Sequence, residues 1–221
     1  NNVFAVMQSA ARVLRRQLNG TASDAILQEV DKSVNRGSSL VRRLLDFARS
    51  EGAVAVAFNP SEIVNGDADL LKHLVGQDAT LAIDAPHDIW SILTDKMHFQ
   101  SVLFNLVSNA RDAVGEDGQI KVTVRNSSNS DTGANAPTGD HVVVVISDNG
   151  CGMTPEILER AGTAFFTTKG EGKGTGLGLT SAYDLAERSS GTVKIDSTVG
   201  LGTRVSLYLP RAPIADNESS P

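Results

Sequence analysis

The stretch Thr163–Leu179, TAFFTTKGEGKGTGLGL, decides how the rest of this 221-residue chain is interpreted. Glycine disfavours both helix and strand because it loses the most backbone entropy on ordering. Apolar residues at helical spacing follow from Leu177, so the stretch predicts a loop that leads into a helix N-terminus. Exposed backbone N–H groups and the positive end of a helix dipole suit a phosphate chain. A plain linker is the alternative. The glycines recur at every second position: Gly170, Gly172, Gly174, Gly176 and Gly178.

Two familiar phosphate-binding motifs are excluded by residue spacing. A P-loop requires G-x-x-x-x-G-K-[ST], but here Gly172-Lys173 is followed by another glycine, and Thr167 occupies the place of the first glycine. The dinucleotide fingerprint G-x-G-x-x-G fails as well, because Leu177 or Leu179 takes the place of its last glycine. A nucleotide held by this loop is therefore held in another way.

Composition indicates a globular protein, with 40% apolar and 21% charged residues. The net charge of −6 argues against a nucleic-acid binder, because no basic surplus can neutralise phosphates. A single cysteine, Cys151, excludes an internal disulfide and fits a reducing compartment. The apolar run Val142–Ile146 is far too short to span a membrane. The chain does not begin with Met, so we expect a fragment of a longer protein.

Residues 1–50 predict a helical hairpin. Apolar side chains recur at helical spacing from Val3 to Leu18 and again from Ile26 to Ala48, and Gly20 separates the two segments. A hairpin alone cannot bury its apolar stripe, so a partner surface is required. We expect a homodimer in which two copies form a four-helix bundle. Packing against the rest of the same chain is the alternative.

Residues 54–210 predict a second domain in which strands and helices interleave. Together with the hairpin this is an α+β protein, and the second domain is expected to be a two-layer α/β sandwich with a mixed sheet. We expect a mobile surface loop at Asn126–Asp140 and a disordered tail at residues 211–221. The expected strands are Val54–Phe58, Thr80–Asp84, Ile89–Leu93, Gln119–Arg125, Val142–Ser147, Thr192–Ser197 and Thr203–Leu209. The expected helices are Ser61–Val75, with Ser61 as cap, Lys96–Val114, and one from Leu177 to about Ser189.

Helix Lys96–Val114 carries an unusual polar stripe. Such a stripe is usually a solvated surface, but mid-helix positions facing water normally hold Lys, Glu or Gln, whereas Asn is a poor helix former. An amide oxygen is a hard, neutral ligand suited to a Mg²⁺ ion that keeps phosphate oxygens and waters. The stripe therefore indicates a use, and it consists of His98, Ser101, Asn105, Asn109 and Asp112.

Asp148 ends the apolar strand Val142–Ile146 and begins the segment Asp-Asn-Gly-Cys-Gly. A carboxylate that is half buried at a strand end must find donors, and the exocyclic amino group of adenine is one. Gly150 and Gly152 would allow a flat base to lie against the backbone. An ordinary Asp-Asn-Gly turn is the alternative.

In their order along the chain these segments resemble the N, G1, F and G2 boxes of sensor histidine kinases. The segments are Asn105-Leu-Val-Ser-Asn109-Ala110, Asp148-Asn-Gly150-Cys-Gly152, Phe165-Phe166 and Gly172-Lys-Gly174-Thr-Gly176-Leu-Gly178-Leu, and Gly200-Leu-Gly202-Thr203 resembles the final glycine box. The resemblance implies an ATP site between an α/β sandwich and a mobile lid, in the superfamily of gyrase, the heat-shock chaperone and the mismatch-repair ATPases.

The resemblance also implies roles for individual residues. Asp148 would bind the adenine amino group, Asn109 would hold Mg²⁺, Asn105 and Asp112 would line the phosphate end, and Lys169 would offset phosphate charge. Catalysis would involve Asn105 and Lys169. The remaining implied ATP contacts are Gly150, Gly152, Phe165, Gly172, Gly174, Thr175, Gly176, Leu177, Gly178 and Thr203.

The hairpin resembles the dimerisation and phosphoacceptor hairpin of the same family, especially at Ser39–Arg49. The opening Asn1-Asn2-Val3-Phe4 resembles the end of the family motif His-Asp-Phe-Asn-Asn, so the acceptor histidine is expected three residues before Asn1. One departure is Asp112, where many kinases have a basic residue. Arg111 or Lys169 would then supply the missing positive charge.

The expected function is the ATP-binding core of a bacterial, cytoplasmic sensor histidine kinase. It would pass a phosphoryl group to histidine and then to an aspartate of a response regulator receiver domain; membrane attachment, if any, would come from upstream regions. A hydrolytic ATPase is one alternative, but it needs a glutamate four residues before the Mg²⁺-binding Asn, where this chain has Asn105. The other alternative is a docking protein with a degenerate nucleotide site. The intact run Gly172–Gly178 disfavours this alternative.

Overall fold

The computed structural model describes residues 54–128, 138–163, 166–168, 176 and 178–213. All of them belong to the second of the two units into which the chain divides, Val54–Pro221. The predicted hairpin at residues 1–50, most of the predicted loop at 126–140 and most of the glycine-rich stretch lie outside the described residues. The hairpin and its dimer therefore stay predictions.

The described residues form seven strands and five helices. The strands are β1 (Val56–Phe58), β2 (Ala79–Asp84), β3 (Ile92–Thr94), β4 (Gly118–Ser127), β5 (His141–Asp148), β6 (Thr192–Thr198) and β7 (Gly202–Pro210). The helices are α1 (Pro60–Gly66), α2 (Ala68–Val75), α3 (Lys96–Ala113), α4 (Pro155–Arg160) and α5 (Gly178–Arg188).

The main sheet has five strands in the order β2-β4-β5-β7-β6. Strand β2 runs parallel to β4, and every other neighbouring pair is antiparallel. Strands β1 and β3 form a separate antiparallel pair. Helices α2, α3 and α5 pack against the main sheet. The predicted two-layer α/β sandwich with a mixed sheet is thus confirmed.

The core lies between α3 and one face of the sheet. Alternate residues of β4 are buried there, as the two-residue period of a strand requires. Strand β5 is buried at its first four positions, and its residues Val142, Val144 and Ile146 belong to this core. The apolar stripe of α3 packs onto them, and its first residue, Phe99, meets Phe58 edge-on with ring centroids 5.6 Å apart. Asp95 caps α3 by accepting hydrogen bonds from the backbone N–H groups of Met97 and His98. The buried stripe comprises Phe99, Val102, Leu103, Leu106, Val107 and Ala110.

The helix predicted over Ser61–Val75 is in fact two helices, α1 and α2, separated at Asp67. Its cap is also different, because the Asn59 side chain accepts a hydrogen bond from Ser61 N at 2.8 Å. Proline fits the first helical position, so Pro60 makes Asn59 the capping residue. The predicted strand Ile89–Leu93 is displaced to β3.

Helix α4 was not predicted, although its sequence carries a start signal. Thr154 caps it by accepting from Ile157 N at 3.4 Å, and Pro155 occupies the first helical position. Thr-Pro-Glu is a recognisable helix start. No described helix is long and apolar enough to cross a membrane.

The disorder predicted for residues 211–221 is wrong at the start of that segment. Arg211 forms a β-bridge with Ile92, and Ala212 N donates to Ser91 O at 2.7 Å. The Arg211 guanidinium also lies 4.6 Å from the centre of the Trp90 ring. Backbone pairing with a preceding segment is invisible to composition, which is why the sequence misplaced this boundary. Residues 214–221 lie outside the described part of the chain.

The predicted turn at Gly200–Gly202 joins β6 to β7, and its two glycines differ in their surroundings. Both have positive φ, +77° at Gly200 and +106° at Gly202. A Cβ at Gly200 would meet nothing within 4 Å. A Cβ at Gly202 would run into the backbone oxygen of Asp148 and lie 2.9 Å from Asn149 Cα. Gly202 therefore permits β7 to approach the end of β5.

We expect Gly202→Ala to lower the free energy of unfolding by about 3 kcal/mol or more, because strain and a backbone collision add together. Gly200→Ala is the matched control and should cost only about 1 kcal/mol, for the positive φ alone. Denaturant unfolding followed by fluorescence of the sole tryptophan, Trp90, measures both. Equal losses in the two variants would contradict the close approach.

Candidate nucleotide-binding site

The candidate site begins at one row of side chains across three strands. Asp148 of β5 lies opposite Thr203 of β7, and Thr203 lies opposite Ser197 of β6. Asp148 also lies opposite Ile120 of β4, a fully buried core residue, so the row is on the helix-covered face. Residues opposite one another on neighbouring strands have their Cβ atoms about 5 Å apart. Three polar side chains are therefore collected at one edge of the core.

The Asp148 carboxyl group is half buried, and only one of its oxygens is used within the described part of the protein. Oδ1 accepts from Gly150 N at 2.9 Å and from Thr203 N at 3.3 Å. Oδ2 accepts no hydrogen bond from the described residues. Burial raises the pKa of Asp148 above its ordinary value, and the two backbone hydrogen bonds act in the opposite direction. The site thus presents an uncommitted, partly desolvated acceptor.

The segment after Asp148 is held from both sides. The Asn149 side chain accepts from Gln119 N at 2.7 Å, and Asn149 N donates to Gln119 O at 3.2 Å. Cys151 N donates to Ala113 O at the end of α3, at 3.0 Å, and Gly200 N donates to Cys151 O at 2.8 Å. The segment therefore joins β4, α3 and the β6–β7 turn.

Neighbouring backbone atoms lie so close to Gly150 and Gly152 that a side chain would not fit at either position. A Cβ at Gly150 would lie 2.5 Å from Ala113 O, and a Cβ at Gly152 would run into Thr198 O. The sequence suggested that these glycines leave room for a flat base. The structure gives another physical reason, which is close packing between α3 and the β6–β7 turn.

The polar stripe of α3 is divided between two surroundings. Towards its N-terminus, His98 Nδ1 lies 3.9 Å from Asp184 Oδ2 of α5, and Thr94 is hydrogen-bonded to Ser189 at 2.7 Å. Towards its C-terminus, Asn109 lies against Gly178, the first residue of α5. The two helices therefore run antiparallel, and His98 is a helix–helix contact remote from Asn109.

Among the described glycines of the glycine-rich stretch, Gly178 meets the polar stripe. A Cβ there would lie 2.7 Å from Asn109 Nδ2, so no side chain fits between the Asn109 amide and the N-terminus of α5. This contact places an amide group beside the first N–H groups of a helix, which have no acceptor within the helix itself. The helix N-terminus suits a bound anion, and the amide oxygen suits the cation that accompanies the anion.

The negative charge of Asp112 is compensated by the guanidinium group of its neighbour Arg111. Arg111 Nε donates to Asp112 Oδ1 at 2.9 Å, while its Nη1 donates to Leu74 O at 3.2 Å. Its Nη2 reaches Ser108 Oγ at 3.4 Å. Arg111 was one of two candidates for the missing positive charge, and its guanidinium is committed to these partners. Lys169, the other candidate, lies outside the described residues.

The structure thus brings the predicted residues together in two groups. Asp148, Gly150, Gly152 and Thr203 surround the end of β5, and Asn105, Asn109 and Asp112 occupy the second half of α3. The hydrogen bond from Cys151 N to Ala113 O joins the groups. Gly176 and Gly178 are described, whereas Phe165, Lys169, Gly172, Gly174, Thr175 and Leu177 lie outside the described residues.

Sequence reasoning missed Asn149 and Ser197, whose side chains organise this site. Asn149 sat inside a recognised turn, and Ser197 is a polar residue at the core-facing end of an alternating strand, which was the available signal. Among the described residues no group of three or more His, Cys, Asp or Glu side chains could hold a metal ion.

Comparison with known proteins gives the family. Residues 94–213, more than half of the chain, match the model described as histidine kinase-, DNA gyrase B-, and HSP90-like ATPase. The sensor kinase CckA of Brucella abortus is 35% identical over 99% of this chain. The sensor histidine kinase ZraS of Salmonella typhi is 30% identical over 86% of it. The chain spans only 25% and 39% of the lengths of these two relatives.

Solved structures agree at the level of fold. Full-length ShkA in complex with AMPPNP has a TM-score of 0.66 at 24% identity, covering 97% of this chain and 44% of that one. The nucleotide-free catalytic domain of the histidine kinase ThkA has a TM-score of 0.56 at 23% identity, covering 71% of this chain and 95% of that one. The chain therefore belongs to the histidine kinase-, DNA gyrase B- and HSP90-like ATPase family, and its relatives CckA and ZraS are both sensor kinases.

Proposed function

We propose that this chain contains the ATP-binding catalytic domain of a sensor histidine kinase. In the whole protein it would transfer the γ-phosphoryl group of ATP to a histidine, and from there to an aspartate of a response regulator receiver domain. The observation that carries the proposal is Asp148, which is half buried and has one carboxylate oxygen without a partner among the described residues. A partly desolvated acceptor of this kind is stabilised when a ligand supplies a donor.

The adenine amino group is the donor that we assign to Asp148. Its two N–H groups can satisfy Oδ2, whereas the carbonyl oxygen of guanine in the same place would face a carboxylate and be repelled. Thr203 lies opposite Asp148, so its hydroxyl is within reach of the neighbouring ring nitrogen of the base. Gly150 and Gly152 would border the base.

The phosphates would lie at the N-terminus of α5, beside Asn109. The described residues fit a bound Mg²⁺ to this extent: Asn109 offers a neutral amide, and Mg²⁺ commonly takes one or two protein ligands together with phosphate oxygens and waters. When bound, the ion would neutralise charge on the phosphates. Asn105 and Asp112 would line this end, and Phe165, Lys169 and the stretch Gly172–Gly178 would complete it.

In such a domain catalysis depends on positioning and charge compensation. Hydrolysis is disfavoured because Asn105 occupies the place where a water-activating carboxylate would be needed, and an amide cannot accept that proton. The retained network around Asp148 also favours nucleotide binding over a purely docking role. We further propose that residues 1–50 form the homodimeric hairpin and that the protein acts in the bacterial cytoplasm.

Asp148→Asn is expected to weaken ATP·Mg²⁺ binding by about 10- to 150-fold, which corresponds to roughly 1.5–3 kcal/mol for loss of a charged acceptor. Isothermal titration calorimetry on the 221-residue chain measures the affinity. Asp84→Asn is the control, because Asp84 is an exposed strand-end carboxylate paired with Lys121. Absence of ATP binding by the parent chain would refute the proposed function.

ATP affinity should also decrease when the pH is lowered, and this decrease should depend on Asp148. The carboxylate is the binding form, and burial raises the pKa of Asp148, so protonation begins at higher pH than for an ordinary aspartate. Affinity should therefore decrease as the pH falls through this raised pKa. The phosphates of ATP titrate as well, so the measured quantity is the affinity ratio of parent to Asp148→Asn. A ratio independent of pH would contradict the assignment.

None of the four histidines in the chain is expected to accept the phosphoryl group. His98 is eleven residues from Asn109, about 16 Å along α3, and His141 is at the opposite end of β5 from Asp148, about 24 Å away. His73 lies in α2 and His87 lies between β2 and β3, so neither belongs to the elements that carry the candidate site.

The chain should therefore bind ATP without becoming labelled by radioactive ATP. Acid-labile incorporation is measured after gel filtration, alongside calorimetry on the same sample. Stable labelling that disappears in His98→Gln would overturn the assignment, and His73→Gln serves as its control.

A further inference from the structure

Ser197 makes three polar contacts beside the candidate base site. Its hydroxyl accepts from Met153 N at 2.9 Å, lies 2.9 Å from Thr203 Oγ1, and lies 3.2 Å from Gly202 O. It thus touches the segment after Asp148, the turn glycine and the residue opposite Asp148. We propose that Ser197 is a positioning residue that sets the hydroxyl orientation of Thr203 and thereby the preference for adenine; this inference rests on the proposed function.

A count of protons explains how Ser197 acts. A serine hydroxyl has one proton and two lone pairs, and Met153 N occupies one lone pair. The proton then has two possible acceptors, Thr203 Oγ1 or Gly202 O. The 2.9 Å contact with Thr203 Oγ1 is satisfied with either hydroxyl as donor, so we assign donation to Gly202 O to the site without a base, and donation to Thr203 to the site that holds one. In that arrangement the proton of Thr203 is available to a ligand.

The edge of the base requires this arrangement. Adenine presents an amino donor next to the ring acceptor N1, so its complement is an acceptor beside a donor. Asp148 Oδ2 supplies the acceptor, and the Thr203 hydroxyl supplies the donor when Ser197 donates to it. Guanine presents the opposite order, a carbonyl oxygen next to an N–H group. If Ser197 instead donates to Gly202 O, Thr203 can turn its proton back to Ser197 and offers the ligand only lone pairs.

The position of Ser197 fits this role. It is one strand removed from Thr203 and two from Asp148 in the same row of the sheet, so it acts on the base through Thr203. Removing its hydroxyl leaves the backbone ladder intact. It also leaves Thr203 without the partner that fixes its rotation, so the Thr203 donor is no longer held towards the base.

The test is calorimetric titration of the 221-residue chain with ATP, GTP and 1-deaza-ATP, in which N1 is replaced by C–H. Ser197→Ala should weaken ATP binding about 2- to 10-fold, as expected for one neutral hydrogen bond. It should also narrow the ATP-to-GTP affinity ratio and leave the affinity for 1-deaza-ATP unchanged. Ser206→Ala is the matched control, because Ser206 is a buried serine on the opposite face of β7.

A double-mutant cycle separates positioning from general support of the fold. In a Thr203→Val background, Ser197→Ala should have no further effect on ATP affinity. If Ser197→Ala fails to fold by circular dichroism, Ser197→Cys keeps the side-chain size, weakens the donor, and is used for the same measurements. Equal weakening of ATP and 1-deaza-ATP, or unchanged ATP affinity, would overturn the inference. Absence of ATP binding by the parent chain would instead refute the proposed function.

Discussion

The site depends on close backbone contact around the segment that follows Asp148. The end of α3 approaches this segment from one side through Ala113 O, and the β6–β7 turn approaches from the other. Glycine is present where these backbones nearly touch, at Gly150, Gly152 and Gly202. A side chain at any of these positions would separate elements whose hydrogen bonds hold the Asp148 carboxyl group in place.

This contact explains how a carboxylate can remain half buried. Desolvation disfavours its charge, and two backbone N–H groups on Oδ1 compensate in part. Those donors come from different elements, Gly150 and Thr203, so the compensation exists only after the sheet and the following segment have assembled. The other oxygen, Oδ2, accepts no hydrogen bond from the described residues and is left for a ligand.

Helix α3 combines structural and functional demands. Its apolar stripe is fully packed, while its polar stripe includes asparagines that cost helix stability of about 0.5 kcal/mol each. Burial of the apolar stripe exceeds that cost several-fold. In the polar stripe, His98 lies near Asp184 of α5, and Asn109 meets Gly178 at the N-terminus of α5. The charge of Asp112 is compensated locally by Arg111, so this end carries no isolated carboxylate among the described residues.

The sequence by itself determined the sandwich, the long helix and the position of Asp148 at a strand end, because hydrophobic periodicity and glycine spacing are local signals. It also grouped Asn105, Asn109 and Asp112, since helical spacing places them on one face. Only the tertiary structure decided that His98 contacts α5, that Arg211 and Ala212 pair with Ile92 and Ser91, and that Ser197 joins Thr203. These features depend on strand register and on approach between distant segments, and neither is encoded in the spacing of residues along a single element.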